Sequence, residues 1–338
     1  MKNFIKVTAG LFLSATMATS SFADVTVGEL EGFTGPIESM AGPMSNGANL
    51  AVTEANASGK FLQGTITVHA GDSTCIDSAA AISEAERLIN DHNVMAIMGP
   101  NCSGATGAVV SNVSVPNAVL TISNAATSPG LSDIVDEGMF FRTAPSDTIQ
   151  AAVLAKVALS KGITDMAVTH SNSDYGKGLA DSFVAQYVAA GGTVTVMSGH
   201  EDDKADYSAD VAALSAGGST TLAVFGYADT GGKGIVTASE DTGAFMDYVF
   251  ADGMMSATIS GLVADGSWGT KPAPSADLAA EWLVVAAAGG VDGNGVFTGE
   301  SYDAMALIIL AAQAAGSTDS SAMAAEVMNI ANAPGIQC

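Results

Sequence analysis

The chain has 338 residues, 48% of them hydrophobic, enough for a sizeable core and more in keeping with two lobes than one. Its formal charge of −24 sets up a field that repels nucleic acid and anionic membrane surfaces, which excludes both as partners. The same field opposes any anionic ligand, so such a ligand would have to be met by local donors.

Residues 1–23 stand apart from the rest. Lys2 and Lys6 form a short positive region, "VTAGLFLSATMA" is an apolar stretch too short to span a membrane, and "SFA" ends in the small residue a signal peptidase needs. Export with cleavage after Ala23 is expected, which leaves a soluble chain of charge −26 once the two lysines are gone. No cysteine follows the cleavage site, so no lipid anchor is expected.

From Asp24 onward short β-rich runs alternate with longer Ala-rich helical ones. "VTVGEL" precedes a helix over about Met44–Ser58, "TITVHA" precedes "AAAISEAERLINDH", "VMAIMG" precedes a helix over Ser103–Val115, and "NAVLTIS" follows. The alternation resumes with a helix near Thr148–Lys161, then "DMAVTH", "GKGLADSFVAQYVAAGG", "TVTVMS", "YSADVAALSAG", "TLAVFGY", "GGKGIVTASEDTG" and "YVFADGM". Such repetition implies βαβ units, parallel sheets and right-handed crossovers. The strands are almost continuously apolar, as in sheets covered on both faces. "FFRTAPSD" (Phe140–Asp147) breaks the periodicity with a proline and reads as a lobe boundary, and "GSWGTKPAPSAD" (Gly266–Asp277) reads as a second crossing. Two α/β lobes joined in this way enclose a cleft, and ligands bind at the carboxyl ends of parallel strands.

Export makes a disulfide possible. Cys75 in "GDSTCIDS" and Cys102 in "GPNCSG" both follow strands, and neighbouring parallel strands would bring their turns together. A bridge between them closes a loop of about 28 residues, worth about 3–4 kcal/mol on the chain-entropy model. Cys338 is left over without a role.

Three chemistries fail on inspection. "GDS" at Gly71–Ser73 begins the nucleophile block of one hydrolase family, but there is no G-x-S-x-G and no downstream Asp-x-x-His, so Ser73 reads as a turn or cap residue. "GYADTGGKG" (Gly226–Gly234) has Gly232 where a phosphate-binding loop needs lysine. The four histidines, His69, His92, His170 and His200, are isolated and the cysteines lack metal-ligand spacing, so no metal and no cofactor is expected. What remains are polar groups on strand-end turns. Ser103 and Thr127, with free amides at helix N-termini, suit a carboxylate, while Tyr175 and Asp252 end strands of the second lobe. A carboxylate facing amides and hydroxyls across a cleft is complementary to a zwitterion such as an α-amino acid.

The segments "GFTGPIESMAGPMSNGANLAVTEANASG", "GDSTCIDSAAAISEAERLI", "GPNCSGATGAV", "ISNAATSPGLSD", "FFRTAPSD", "SNSDYGKGLADSF" and "ADYSADVAALSAGG" resemble the periplasmic leucine/isoleucine/valine-type amino-acid-binding proteins, the type I solute receptors of ABC importers. The resemblance spans about Asp24–Pro334. It implies a two-lobed α/β fold, with residues 24–143 and 273–338 in the N-terminal lobe and 144–272 in the C-terminal lobe. It also agrees with a Cys75–Cys102 bridge. By position, Ser103 and Thr127 with backbone at Ala125 would hold the ligand's carboxylate and ammonium, Tyr175 would close over it, and Asp252 would pair with the ammonium. Met40, Tyr227 and Asp229 fall where the ligand side chain would lie, and which of them face it stays open. The implied function is a periplasmic receptor, monomeric and not an enzyme, that closes on an amino acid and docks on the importer's permease subunits. A sensor feeding a membrane receptor, and a hydrolase using Ser73, are the alternatives from other classes.

Overall fold

The computed structural model describes residues 24–263 and 265–332. The export segment and Cys338 lie outside these residues, so neither expectation for them is addressed by the fold.

The chain runs β1 (Val25–Glu31), α1 (Glu38–Ser58), β2 (Ile66–Asp72), α2 (Ser78–His92), β3 (Ala96–Met98), α3 (Ser103–Val109), a π-helical turn (Val110–Ser114), α4 (Val115–Asn117), β4 (Leu120–Ser123) and β5 (Phe140–Arg142). It then crosses over residues 143–146 into α5 (Asp147–Ser160), β6 (Asp165–Ser171), α6 (Asp174–Ala189), β7 (Thr193–His200), α7 (Ser208–Ser215), β8 (Thr221–Phe225), α8 (Gly231–Thr242), β9 (Asp247–Phe250), α9 (Ala257–Ser260) and β10 (Trp268–Gly269). A second crossing leads to α10 (Ala276–Ala288), α11 (Thr298–Ala315) and α12 (Ser320–Ala331).

These strands make two five-stranded sheets, β2-β1-β3-β4-β5 and β7-β6-β8-β9-β10, and every pairing is parallel. The second order repeats the first, so the molecule is one α/β plan built twice. In this strand order the topological switch falls between β1 and β3, and between β6 and β8, and each switch opens a crevice at the carboxyl ends.

Local chemistry sets the elements. Asp77 caps α2 by accepting from the Ala79 and Ala80 N–H groups at 2.9 and 3.1 Å, Asn93 ends it in the left-handed region, and Ser146 and Ser173 cap α5 and α6. On one face of the first sheet Val27, Ile122, Ala48, Ile308, Ala312 and Val327 join α1, α11 and α12 to the strands. On the other, Leu30, Ile97, Leu88, Val109 and Val113 pack under α2 and α3.

Four sequence expectations are corrected. α1 begins at Glu38, not near Met44, and carries Pro43 inside it. A mid-helix proline removes one backbone bond, but α1 packs so closely on α11 that a Cβ at Gly47 would lie 2.2 Å from Thr298 O. The first turn is closed by its own bonds, the Met40 and Ala41 N–H groups donating to Ile37 O at 2.9 and 3.2 Å. "FFR" is not only a boundary but the edge strand β5, and "WG" is the edge strand β10; at three and two residues neither has a readable period. Finally β2 and β3 are not neighbours, because β1 lies between them. The Cys75–Cys102 bridge exists nonetheless, with Cα atoms 5.2 Å apart, and spans the end of β1.

Candidate functional site

The turns that follow the strands meet between the lobes. After β3 the chain turns at Gly99, where φ is +104° and a Cβ would sit 2.0 Å from Leu30 O, so only glycine fits. This turn delivers Asn101, Cys102 and Ser103 to the cleft. Ser103 Oγ accepts from the Ser128 N–H at 3.1 Å, which leaves its own proton to donate. Ala125 follows β4. From the second lobe, Tyr175 opens α6, Tyr227 follows β8, and Asp252 and Gly253 follow β9. Together with Ile37, Met40 and Met44 of the first lobe and Phe297 at the start of α11, these residues enclose a space of about 20 Å³.

Four of the five expected ligand residues therefore border one space: Ser103, Ala125, Tyr175 and Asp252. Thr127 does not. It is buried behind Ala125 with its hydroxyl unpartnered, and its carbonyl accepts from the Asp147 N–H at 2.9 Å. Met40 and Tyr227 line the space and Asp229 does not. Ser73 is buried in the turn beside Cys75, whose N–H donates to Ser73 Oγ at 3.4 Å. Sequence reasoning missed Asn101, Met44 and Phe297. Phe297 follows no strand and takes φ of +57°, so no periodic signal marks it.

Asp252 is held from two sides. Tyr175 Oη donates to Asp252 Oδ1 at 3.3 Å and itself accepts from the Gly253 N–H at 3.1 Å, while Tyr227 stacks on Tyr175 with ring centroids 5.2 Å apart. Burial pushes the Asp252 carboxyl up to about 6, against the opposing pull of its own backbone N–H, Gln150 and Tyr175. Burial also raises Glu31 well above the usual range, with the charge of Glu29 adding to it, and burial raises Glu29. An acid raised on folding contributes stability that is present below its unfolded value and lost as pH rises through the folded one. The thermal midpoint of the ligand-free protein is therefore expected to fall between pH 5 and 7, and to fall less in Asp252→Asn; a midpoint that climbs over this range in circular-dichroism melts would contradict the burial of these acids.

The lobes are latched across the cleft mouth. Asp229 Oδ2 accepts from the Ser39 N–H at 2.8 Å, the Asp229 N–H donates to Pro36 O at 3.1 Å, and Ser39 Oγ pairs with Ser256 Oγ at 3.1 Å. The Asp229 carboxylate thus sits at the N-terminus of α1, where the helix dipole favours an anion. Asp229→Ala removes this contact from the closed state alone. It is expected to weaken ligand binding about fivefold, for a bond worth about 1 kcal/mol. Unchanged affinity would show that the latch does not govern closure.

A larger cavity, about 870 Å³, lies elsewhere, along the two crossings and between α5 and α10. Ile149, Val153 and Leu278 on its rim are open to solvent, and it contains neither Ser103 nor Asp252. Among the described residues no three acids, histidines or cysteines are grouped to hold a metal ion.

A model of the periplasmic binding protein family matches residues 24–333. The chain belongs to that family. Among its relatives, the Leu/Ile/Val-binding protein BraC3 of Rhizobium johnstonii is 28% identical over 321 residues, spanning 93% of this chain and 85% of the relative. In the same fold, the branched-chain amino acid transporter substrate-binding protein LivJ of Streptococcus pneumoniae, solved with isoleucine, superposes with a TM-score of 0.76 at 24% identity, covering 91% of this chain and 88% of that one. A solute-binding protein of an ABC transporter from R. palustris, solved with 4-hydroxybenzoate, also gives 0.76, at 20% identity and with 90% and 84% covered. Solved structures of this fold thus include one holding an amino acid and one holding a hydroxybenzoate.

Proposed function

We propose that this chain is the periplasmic receptor of an ABC importer and that it captures an α-amino acid with a short apolar side chain, branched-chain or similar, by closing its lobes. The observation that carries the reading is the division of labour around one enclosed space. Ser103 and the first-turn amides of α3 offer donors on one side, Asp252 offers an acid on the other, and Met40, Met44, Ile37 and Phe297 are apolar between them. A carboxylate, an ammonium and an aliphatic group each find a matching wall. The space of about 20 Å³ has room for about one water, so a ligand enters only as the lobes part and the flexible methionines repack.

In this reading the signal segment is removed after Ala23, residues 24–143 with 273–338 move against residues 144–272, and the closed monomer docks on the permease subunits. Contacts made by both lobes favour the closed state, so binding energy drives closure and no bond in the ligand is broken. The test is calorimetric titration of unfolded-and-refolded, ligand-stripped protein with L-leucine, L-isoleucine, L-valine, their amides and 4-hydroxybenzoate. Saturable binding of at least one of the amino acids and none of the benzoate is expected. Binding of the benzoate alone would overturn the amino-acid reading, since it leaves Asp252 without a counter-charge.

A further inference from the structure

Behind Phe297 lies a row of fully buried polar side chains, none of which lines the ligand space. Glu31 ends β1, Asn124 follows β4 and Ser301 stands in the first turn of α11. Asn124 Nδ2 donates to Glu31 Oε1 at 2.6 Å and to Ser301 Oγ at 2.7 Å, and Ser301 Oγ donates to Phe297 O at 2.7 Å. The direction of these bonds is fixed along the row. Ser301 Oγ has a single proton, and because it accepts from the amide that proton goes to Phe297 O. Glu31 accepts at Oε1 whether or not Oε2, which has no partner, carries a proton. A reversed Asn124 amide would set its oxygen against Glu31 Oε1 and draw the Ser301 proton away from Phe297.

Phe297 is a residue that needs such a hold. Its backbone is left-handed, with φ of +57° and ψ of 12°, a conformation unfavourable for any residue with a side chain and kept only where the surroundings over-determine it. No side chain of its own caps α11 there; instead its carbonyl takes two donors, Ser301 Oγ at 2.7 Å and the Ser301 N–H at 2.9 Å. Glu31 Oε2 and Asn124 Oδ1 are left unpaired, so the row is a costly filling for a core that apolar side chains could occupy. What a buried polar row supplies in return is one defined arrangement.

We propose that Glu31, Asn124 and Ser301 are positioning residues: they fix the backbone at Phe297 and so set the wall that measures the length of the ligand's side chain. The proposal rests on the amino-acid reading for what the wall measures, while the hold on Phe297 is independent of it.

The experiment cuts the last bond of the row. Ser301→Ala removes the hydroxyl and leaves the backbone bond to Phe297 O, and Ser301→Thr restores a hydroxyl; Ser301→Cys, of similar shape but a weak donor, replaces Ser301→Ala should that variant not fold. Each mature protein is titrated calorimetrically with L-leucine and with L-alanine, whose methyl ends short of Phe297. In Ser301→Ala the affinity for L-leucine is expected to fall about fivefold and that for L-alanine less than about twofold, with the ratio restored in Ser301→Thr. Equal losses for the two ligands, or an unchanged ratio, would overturn the proposal, because a general loosening of the lobe moves both alike. A second measurement needs no ligand. With 4-fluorophenylalanine at position 297, fluorine NMR is expected to give one resonance that shifts or splits in Ser301→Ala and returns in Ser301→Thr. If neither amino acid binds, the amino-acid reading fails and this resonance alone decides: its change supports the hold on Phe297, and an unchanged resonance overturns it.

Discussion

Asp252→Asn is expected to weaken amino-acid binding by about 1–3 kcal/mol, between fivefold and about 150-fold, and at the same time to stabilise the ligand-free protein. The two signs are the informative part. Asp252 is buried and accepts from Tyr175 Oη at 3.3 Å, a contact that an amide oxygen of the same shape can keep. The ammonium would lose its charged acceptor while the empty site loses a costly buried charge. A variant that was merely damaged would lose both affinity and stability. Titration calorimetry and thermal unfolding on one preparation separate these outcomes, and wild-type affinity in the variant would remove Asp252 from the ligand.

Breaking the Cys75–Cys102 bridge by Cys75→Ser is expected to cost about 3–4 kcal/mol, since the bridge closes a loop of 27-residue separation in the unfolded chain. That corresponds to a fall of about 5 °C in the thermal midpoint for a chain of this size. A second effect should accompany it. Cys102 and Ser103 share one turn, and Cys102 itself borders the ligand space, so loosening the turn frees a donor that closure needs fixed. Affinity is expected to fall as well, several-fold, in protein that is still folded. Lower stability with unchanged affinity would make the bridge a staple of the fold and nothing more. Two free thiols among Cys75 and Cys102 in the intact secreted protein would refute the bridge itself.

Much of this was legible because strands, helices and turns each leave a local mark. The near-continuous apolar runs alternating with Ala-rich ones announced parallel α/β lobes, and the residues just past the strands, Ser103, Ala125, Tyr175 and Asp252, are where that architecture gathers polar groups. What escaped is what has no local mark. The order of strands in a sheet is a tertiary choice, so nothing near Cys75 or Cys102 says that β1 lies between their strands. β5 and β10 are too short to show a period, and Pro43 falls inside α1 rather than at its start. Asp147 sits in "FFRTAPSD", whose composition marks a boundary; that the same aspartate is fully buried follows only from the fold. Asp229 was left undecided between cleft and surface, and its place is neither lining nor solvent but the seam between the lobes.

The central claim is that one ligand presents a carboxylate to the Ser103 side and an ammonium to Asp252 at once. It is tested most directly by calorimetric titration of the ligand-stripped protein with L-leucine, its des-amino analogue 4-methylpentanoate and its decarboxylated analogue isopentylamine. The account predicts saturable binding of L-leucine and a loss of at least tenfold in affinity on removing either charged end. Equal affinity for 4-methylpentanoate and L-leucine would contradict it, because the acid side of the cleft would then be making no contact with the ligand.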